Sequence, residues 1–214
     1  PRIAATYSKG DKEKIREYMN NSFSFISLLA FPLMFGTISI AYKFVPIFYG
    51  SGYDKVAPLM CVVSPIIVFI GLSNVTGTQY LLPTKQQNKY TTSVIIGAIV
   101  NFVLNIVLIK KYASIGASIA TVIAEFCVTL TQFLLIRNEI KFKEIFSMIY
   151  KYIVAAIIMF VCSILIGNFI SNNAFSILVQ IIVSSIIYFV VLLMMNDKMI
   201  IEGITILKNK IIKK

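Results

Sequence analysis

The side chains best suited to chemistry in this sequence are polar groups that lie inside long apolar stretches. Glu125 lies near the middle of one such stretch. Residues three or four positions apart share a helix face, and four polar residues share that of Glu125: Ser118, Thr121, Thr129 and Gln132. A charge at the bilayer centre costs about 2.5–3.5 kcal/mol on insertion scales, so Glu125 is expected to face protein or water. Two roles stay open. Glu125 is either a cavity carboxylate that binds a cation, a proton or a sugar hydroxyl, or a structural group that is protonated or hydrogen-bonded to a neighbouring span.

Two neighbouring stretches carry polar stripes of the same kind. One stripe consists of Gly97, Asn101 and Asn105. The other consists of Gly71, Asn74 and Thr78, with Gln79 beside it. Such groups also form ordinary interhelical hydrogen bonds of about 0.6 kcal/mol, which is the structural alternative to a cavity lining. We predict a polar cavity lined by six residues: Glu125, Asn101, Asn105, Asn74, Gln79 and Thr121.

A loop with two lysines follows the stretch that contains Gln79. Pro83 ends the apolar run, and Lys85 and Lys89 come directly after it in the segment GTQYLLPTKQQNKY, residues 77–90. Lysines at a membrane surface attract anionic headgroups, and they also fix the orientation of the spans. Lys85 and Lys89 are therefore either candidates to contact an anionic headgroup or topology signals only.

The elements that must position these residues are membrane-spanning helices. Of the 214 residues, 58% are hydrophobic and 14% are charged, and the mean hydropathy is +0.85, whereas a soluble domain is about 25% charged. Six apolar stretches have the length of roughly 20 residues that crosses a bilayer: 22–42, 57–82, 91–109, 113–136, 150–170 and 174–195. A backbone in lipid must satisfy its hydrogen bonds within the segment, so the predicted fold class is an all-α integral membrane protein with six transmembrane helices.

Local features refine the helices. Pro32 and Pro65 lie inside the first and second spans, where each removes a backbone hydrogen bond and is expected to kink the helix. Gly116 and Ala120 form a small-residue seam that favours close helix packing. The last two spans are nearly without polar features, so we expect them to serve as lipid-facing packing.

The basic residues are distributed unevenly between the two sides of the membrane. Six spans place both termini on one side, and that side holds sixteen of the twenty Lys and Arg residues. The other side holds only Lys43, Lys55, Lys110 and Lys111. The positive-inside rule therefore predicts that both termini lie in the cytoplasm.

Both ends of the chain are polar. Residues 8–21 open with Ser8-Lys9-Gly10-Asp11, a possible capping box, and predict a short charged helix that leads into the first span. The tail predicts a basic amphipathic helix on the inner leaflet, or a solvated anchor without a specific ligand. Its apolar stripe consists of Ile200, Ile204, Leu207 and Ile211, and its off-stripe lysines are Lys208, Lys213 and Lys214. Since the chain opens on Pro1 and on polar sequence, we expect it to be the C-terminal part of a longer protein.

Composition also excludes several classes of site. The net charge of +11 would suggest nucleic acid as a partner of a soluble chain, but here the basic residues lie next to the spans. There is no histidine, which excludes imidazole catalysis and His-rich metal sites. Cys61, Cys127 and Cys162 lie singly in apolar runs, as expected for core packing. We predict no cofactor and no metal site.

Several segments resemble polysaccharide and O-antigen flippases. The Pro-Arg start, a Gly-Asp in the following loop, a proline in the next span and the stretch from Val45 through Tyr53 to Ala57 follow the order seen in that family. The later segments GTQYLLPTKQQNKY and NFVLNIVLIKKYASIGASIATVIAEF resemble it as well. Where the family often has Gly-Lys, this chain has Thr84-Lys85.

The resemblance implies a function and an architecture. These Wzx-type members of the multidrug/oligosaccharidyl-lipid/polysaccharide exporter superfamily are two-lobed transporters of 12–14 helices. They flip undecaprenyl-diphosphate-linked oligosaccharide repeat units by alternating access for O-antigen or capsule assembly. The implied partners are the lipid-linked oligosaccharide, membrane lipids, the N-terminal helices of the same protein and polysaccharide assembly proteins, and the implied location is the bacterial cytoplasmic (inner) membrane.

The resemblance also divides the chain into four regions. Residues 1–21 would be a cytoplasmic loop and amphipathic helix, and residues 22–136 would be four helices of the C-terminal transporter bundle. Residues 137–195 would be a cytoplasmic loop and two extra helices, and residues 196–214 would be a basic cytoplasmic tail. Lys85 and Lys89 would then be candidates for contact with the substrate diphosphate.

Two other functions stay open. A membrane-embedded glycan polymerase or glycosyltransferase would need a sizeable loop with acids and bases, but the longest external loop, 43–56, has Asp54 as its only acid. A cation-coupled drug exporter would share the fold, and Glu125 does not distinguish it from a flippase.

Overall fold

The fold is a bundle of long helices, seen in a computed structural model that describes residues 2–170 and 173–212. The side chains of residues 2, 207 and 209–212 are not described. The helices are α1 (Arg2–Ser8), α2 (Lys12–Phe48), α3 (Val56–Val63), α4 (Ile66–Thr76), a π-helical turn (Gly77–Leu81), α5 (Gln87–Leu135), α6 (Phe142–Phe169), α7 (Asn173–Met194) and α8 (Lys198–Ile212). The prediction of an all-α membrane protein is confirmed.

Helix α5 is a hairpin of two antiparallel arms, 87–112 and 114–135. The chain reverses at Ala113, whose φ of 48° and ψ of −126° are not helical. Gln132 Nε2 donates to Ser93 Oγ at 3.1 Å, and Asn101 Nδ2 donates to Thr121 Oγ1 at 3.5 Å, so the arms pair along their length. Five described helices are long and apolar enough to cross a membrane. Two of the six predicted spans, 91–109 and 113–136, correspond to the two arms of α5.

The two prolines of the first spans act differently. Ser64 and Pro65 interrupt the second crossing helix between α3 and α4, as predicted. Helix α2 continues through Pro32 without a break, and whether it bends there stays a prediction. Pro32 has no N–H to offer the carbonyl of Leu28 one turn earlier, and the hydroxyl of Tyr188 donates to that carbonyl at 3.0 Å. A side chain of α7 thus replaces the missing bond.

The N-terminal capping prediction is wrong in its residue. Ser8 donates to the carbonyl of Ala5 at the end of α1, whereas Asp11 Oδ1 accepts from the N–H of Lys14 at 3.0 Å and caps α2. Gly10, with a φ of +73°, makes the turn between the two helices. The predicted charged helix is therefore the first part of α2 and continues into the first span.

The expectation of nearly featureless last spans is also wrong. Helices α6 and α7 pack against α2, and a row of polar side chains on α7 is buried there. Gln180 Nε2 donates to the carbonyl of Ser163 at 2.8 Å, and Ser163 Oγ donates to Ser39 Oγ at 2.9 Å. The row consists of Ser176, Gln180, Ser184 and Tyr188 at intervals of four, a periodicity that is visible in the sequence.

Lys43 fixes the ends of α6 and α7 to α2. Its ammonium group is half-buried and donates to the carbonyl of Ile170 at 2.9 Å, to Ser176 Oγ at 2.7 Å and to the carbonyl of Gly167. Cations stabilise the carbonyl end of a helix. Lys43 therefore caps α6 from a neighbouring element.

Lys43→Met is expected to destabilise the bundle by about 1–3 kcal/mol, because it leaves half-buried carbonyls and the buried Ser176 hydroxyl without their donor. Thermal unfolding of the purified protein in detergent would measure the loss. Lys55→Met is the matched control, since Lys55 is exposed and no described residue pairs with it. Equal melting temperatures for the two variants would contradict the capping role.

The tail begins with a capped helix. Asp197 Oδ1 accepts from the N–H groups of Met199 and Ile200 at 3.1 and 3.3 Å. Ile200 packs on the core, while residues 201–206 are exposed. The predicted stripe residues Leu207 and Ile211 and the lysines Lys213 and Lys214 lie outside the described side chains, so the interfacial role of the tail stays a prediction.

Candidate functional site

A polar cavity of about 370 Å³ lies between α4 and the two arms of α5. Four of the six residues predicted from the sequence line it: Asn74, Asn101, Thr121 and Glu125. Three further residues with polar groups also line it, and only Gln132 among them belongs to a predicted stripe: Ser73, Tyr90 and Gln132. The three polar stripes therefore converge on one space.

A chain of three hydrogen bonds runs along one wall of the cavity, and one of the three joins the two arms of α5. Asn105 Nδ2 donates to Asn101 Oδ1 at 2.8 Å, and Asn101 Nδ2 donates to Thr121 Oγ1 at 3.5 Å. Thr121 in turn donates to the carbonyl of Ala117 at 2.9 Å. Asn105 is thus one turn from the cavity and orients Asn101 rather than lining the space itself.

Glu125 supplies the acidic side chain on the wall of this cavity. Among the described residues, no side chain makes a hydrogen bond or an ion pair with it. The nearby Thr129 donates to the backbone carbonyl of Glu125 at 2.9 Å and to that of Phe69 at 3.0 Å. A half-buried carboxylate that faces a cavity without a partner is available to a ligand or to water.

One end of the cavity is closed by a buried polar cluster around Gln132. Its Oε1 accepts from Thr76, and its Nε2 donates to Ser93 at 3.1 Å. All three side chains are almost fully buried. The amide therefore ties α4 to both arms of α5, and a fully satisfied buried network of this kind rigidifies its surroundings.

Gly77 permits the close approach at this closed end. A Cβ there would lie 2.8 Å from the ring of Tyr90 and 3.0 Å from Gln132 Nε2. The π-helical turn begins at this glycine, and the N–H of Leu82 donates to the Gly77 carbonyl at 3.0 Å. Such turns are frequent at functional sites.

The same turn explains the position of Gln79. The predicted position of Gln79 depends on α-helical spacing, but a π-turn inserts a residue and so rotates the following side chains around the helix axis. Gln79 is half-buried and does not line the cavity, whereas Tyr80 is buried and donates to Glu139 Oε2. The prediction that Gln79 lines the cavity is therefore not met in this structure.

The two loop lysines have different surroundings. Lys85 is exposed and takes the left-handed conformation, with a φ of 61°, so the tight turn falls on Lys85 and not on Thr84. Thr84 is buried and donates to the carbonyl of Tyr80 at 2.8 Å. Lys89 Nζ pairs with Glu139 Oε1 at 2.8 Å. Only Lys85 of the two presents an unpaired charge among the described residues.

Glu139 is not among the site residues predicted from the sequence. It lies between α5 and α6 and accepts hydrogen bonds from Lys89, Gln86 and Tyr80. Burial raises the pKa of its carboxyl, but these hydrogen bonds more than offset that effect, so the pKa lies below its ordinary value. Glu139 is therefore ionised at neutral pH. A single loop acid has no periodic signal that could have revealed this role.

Known proteins with similar sequences include transporters and flippases. Residues 4–58 match the family described as "Polysaccharide biosynthesis protein". The chain is 30% identical over 95 residues to the "Putative O-antigen transporter" of Escherichia coli K12, covering 44% of this chain and 23% of that protein. It is 22% identical over 124 residues to the "Probable low-salt glycan biosynthesis flippase Agl15" of Haloferax volcanii, and the match covers 58% of this chain and 26% of that protein. It is 25% identical over 171 residues to the "Lipid II flippase MurJ" of Bacillus subtilis, covering 78% and 30%.

A solved structure shares the fold. The "Lipid II flippase MurJ, inward closed conformation" superposes with a TM-score of 0.75 at 19% identity, over 88% of this chain and 40% of that one. The helices therefore have the arrangement seen in part of that structure. The chain spans about a quarter of the length of the curated relatives it matches. These similarities confirm the resemblance to polysaccharide and lipid-linked glycan flippases.

Proposed function

We propose that this chain is the C-terminal part of a two-lobed transporter that flips lipid-linked oligosaccharide across the cytoplasmic membrane by alternating access. The substrate would be an undecaprenyl-diphosphate-linked repeat unit for O-antigen or capsular polysaccharide. The observation that carries the proposal is the polar cavity inside a membrane bundle, with Glu125 unpaired on its wall. The names of the relatives support the substrate class, because they include an O-antigen transporter, a glycan flippase and a lipid II flippase.

The cavity residues suit a glycan. Asn74, Asn101 and Thr121 offer amide and hydroxyl groups that hydrogen-bond sugar hydroxyls. The carboxylate of Glu125 would accept from two hydroxyls, and such charge-assisted bonds are stronger than neutral ones. Asn105 would act through Asn101, and Gln79 would contact substrate only after the π-turn rearranges.

The end of the bundle that contains Glu139, Lys85 and Lys89 is proposed to face the cytoplasm. In the six-span topology predicted from the sequence, sixteen of the twenty Lys and Arg residues fall on that side, as the positive-inside rule expects of a cytoplasmic face. The exposed Lys85 would attract the diphosphate headgroup from the inner leaflet. Lys89 would contribute once it leaves Glu139.

An enzymatic function is not proposed. The relatives are transporters or flippases by name. Glu125 would serve substrate binding rather than acid–base catalysis.

The proposal is tested by complementation. The full-length protein that carries this chain would be expressed in a bacterium that lacks its own repeat-unit flippase and whose lipid-linked repeat units accumulate on the inner leaflet. We expect surface polysaccharide to return, measured by labelling of surface glycan. The control is the same host with an empty vector. Normal membrane insertion without restored polysaccharide, for every repeat-unit structure tried, would contradict the proposed function.

A further inference from the structure

A second cavity, of about 310 Å³, lies at the Glu139 end of the bundle, outside the set of residues that line the central cavity. It is formed by α1, the start of α2, the π-helical turn and the loops around Gln86 and Asn138. The side chains with polar groups that line it are Tyr7, Lys12, Arg16, Tyr80, Gln86, Asn138 and Glu139. Most of these side chains offer hydrogen-bond donors.

Glu139 is the anion that this pocket already contains. Its Oε1 accepts from Lys89 Nζ at 2.8 Å, and its Oε2 accepts from Gln86 Nε2 at 3.0 Å and from Tyr80. Its backbone carbonyl accepts from Arg16 Nε at 3.1 Å. One residue therefore joins the start of α2, the π-turn, the lysine loop and the α5–α6 connection.

Two cations of the pocket, Lys12 and Arg16, make no ion pair among the described residues. The ion pairs among the described residues are Lys89–Glu139 and Lys141–Glu144, so neither Lys12 nor Arg16 pairs with a carboxylate there. Arg16 uses Nε for the Glu139 carbonyl, and its terminal nitrogens make no bond to any described residue. A guanidinium with free terminal N–H groups fits the geometry of a phosphate.

We propose that this pocket binds a phosphate group, with Arg16 and Lys12 as its donors and Glu139 as the resident counter-ion. The phosphate takes the place of the Glu139 carboxylate beside Lys89. The ammonium group of Lys89 then leaves Glu139 and binds the phosphate. In so far as the phosphate belongs to a lipid-linked substrate, the inference rests on the proposed function.

The exchange has a structural consequence for the central cavity. Lys89 directly precedes Tyr90, whose side chain lines the central cavity and packs against Gly77. Release of Lys89 from Glu139 also removes a bond between the start of α5 and the α5–α6 connection. Phosphate in the second cavity would thus loosen the end of the central cavity that Tyr90 and Gln132 close.

The test measures binding of inorganic pyrophosphate and of a polyprenyl diphosphate to the full-length protein in vesicles of zwitterionic lipid. We expect Arg16→Gln and Lys12→Gln each to weaken binding about tenfold or more, since each removes a charge-assisted contact. Lys14→Gln is the matched control, because Lys14 lies on the same helix and does not line the pocket. Its binding should equal that of the wild type.

Glu139→Gln gives the discriminating result. It keeps the shape of the side chain and removes the competing charge, so we expect several-fold tighter phosphate binding, whereas mere structural damage would weaken it. Hydrogen exchange of residues 84–90 should rise in the wild type on adding ligand and should be raised already in Glu139→Gln. Unchanged or weaker binding in Glu139→Gln, or an unaffected Arg16→Gln, would overturn the proposal.

The ligand source and the transport function are separated by two further comparisons. Binding of pyrophosphate alone would assign free phosphate, binding of the lipid alone would assign a headgroup, and either supports the site. Wild-type protein that flips substrate but binds neither probe overturns the pocket and leaves the proposed function intact. Protein that binds both probes but flips no lipid-linked glycan supports the pocket and overturns the function.

Discussion

Glu125→Gln is expected to reduce export of repeat units about tenfold or more, while the protein still reaches the membrane. The carboxylate lines the central cavity without a partner among the described residues, so its neutralisation removes no bond of the fold. Hydrogen bonds to charged groups contribute about 1.5–3 kcal/mol, and each 1.4 kcal/mol is a factor of about ten. The measurement is the rate at which surface polysaccharide appears after induction, normalised to the amount of protein in the membrane.

Glu17→Gln is the matched control, since Glu17 is an exposed acid on α2 that lines neither cavity. Its export should equal that of the wild type. Normal export in Glu125→Gln would contradict the proposed role in substrate binding. A large fall in the melting temperature would also contradict it, because a carboxylate without protein partners should not stabilise the fold.

The sequence predicted the central cavity because its residues follow simple helical periodicity. Asn101, Thr121 and Glu125 lie on regular α-helix, where steps of three and four residues keep one face. Gln79 does not follow this periodicity because it lies in a π-helical turn, and no pattern of residues in the sequence predicts that turn. The prediction for Gln79 is therefore wrong because of the local backbone geometry, while the other polar stripes keep their predicted faces.

The polar row of α7 follows the same helical periodicity but is not among the features predicted from the sequence. Ser176, Gln180 and Ser184 recur at intervals of four, but a serine forms few contacts and is common in membrane helices, so the row carries a weak signal. Its meaning depends on Lys43 and Ser39 of α2, which lie more than a hundred residues earlier. Periodicity identifies which residues share one face of a helix, but it does not identify the neighbouring helix against which that face packs.

Hydrogen bonding distinguishes the structural polar side chains of this bundle from the candidate functional ones. Gln132 lies on the same predicted stripe as Glu125, yet both ends of its amide are bonded to Thr76 and Ser93. Such a group specifies packing, since its loss leaves buried partners unpaired. Glu125 makes no such bond to any described residue, and an ionisable side chain of this kind in a membrane segment is the reason that we propose it as a functional residue. The sequence cannot distinguish the two, because the distinction depends on distances between helices.

Gly116→Ala is expected to destabilise the α5 hairpin more than any other single methyl addition to it. The new Cβ would overlap the backbone carbonyl of Leu108 in the opposite arm. At Gly97 the overlap is instead with a side chain of Val128, which is able to change rotamer. Overpacking costs about 1–3 kcal/mol when neighbours can shift, and a backbone carbonyl next to the Ala113 turn has little room to do so.

The expected cost exceeds the gain of about 1 kcal/mol that replacing glycine by alanine gives in a helix. For a chain of this size each kcal/mol corresponds to about 2–4 °C in melting temperature, which thermal unfolding in detergent would detect. Gly36→Ala is the matched control, because nothing lies within 4 Å of its added Cβ in the middle of α2, and its melting temperature should stay equal or rise. Since Asn101 and Thr121 are held together by the pairing of the arms, Gly116→Ala should also lower export. An unchanged melting temperature in Gly116→Ala would show that the two arms are not in the close contact on which the central cavity depends.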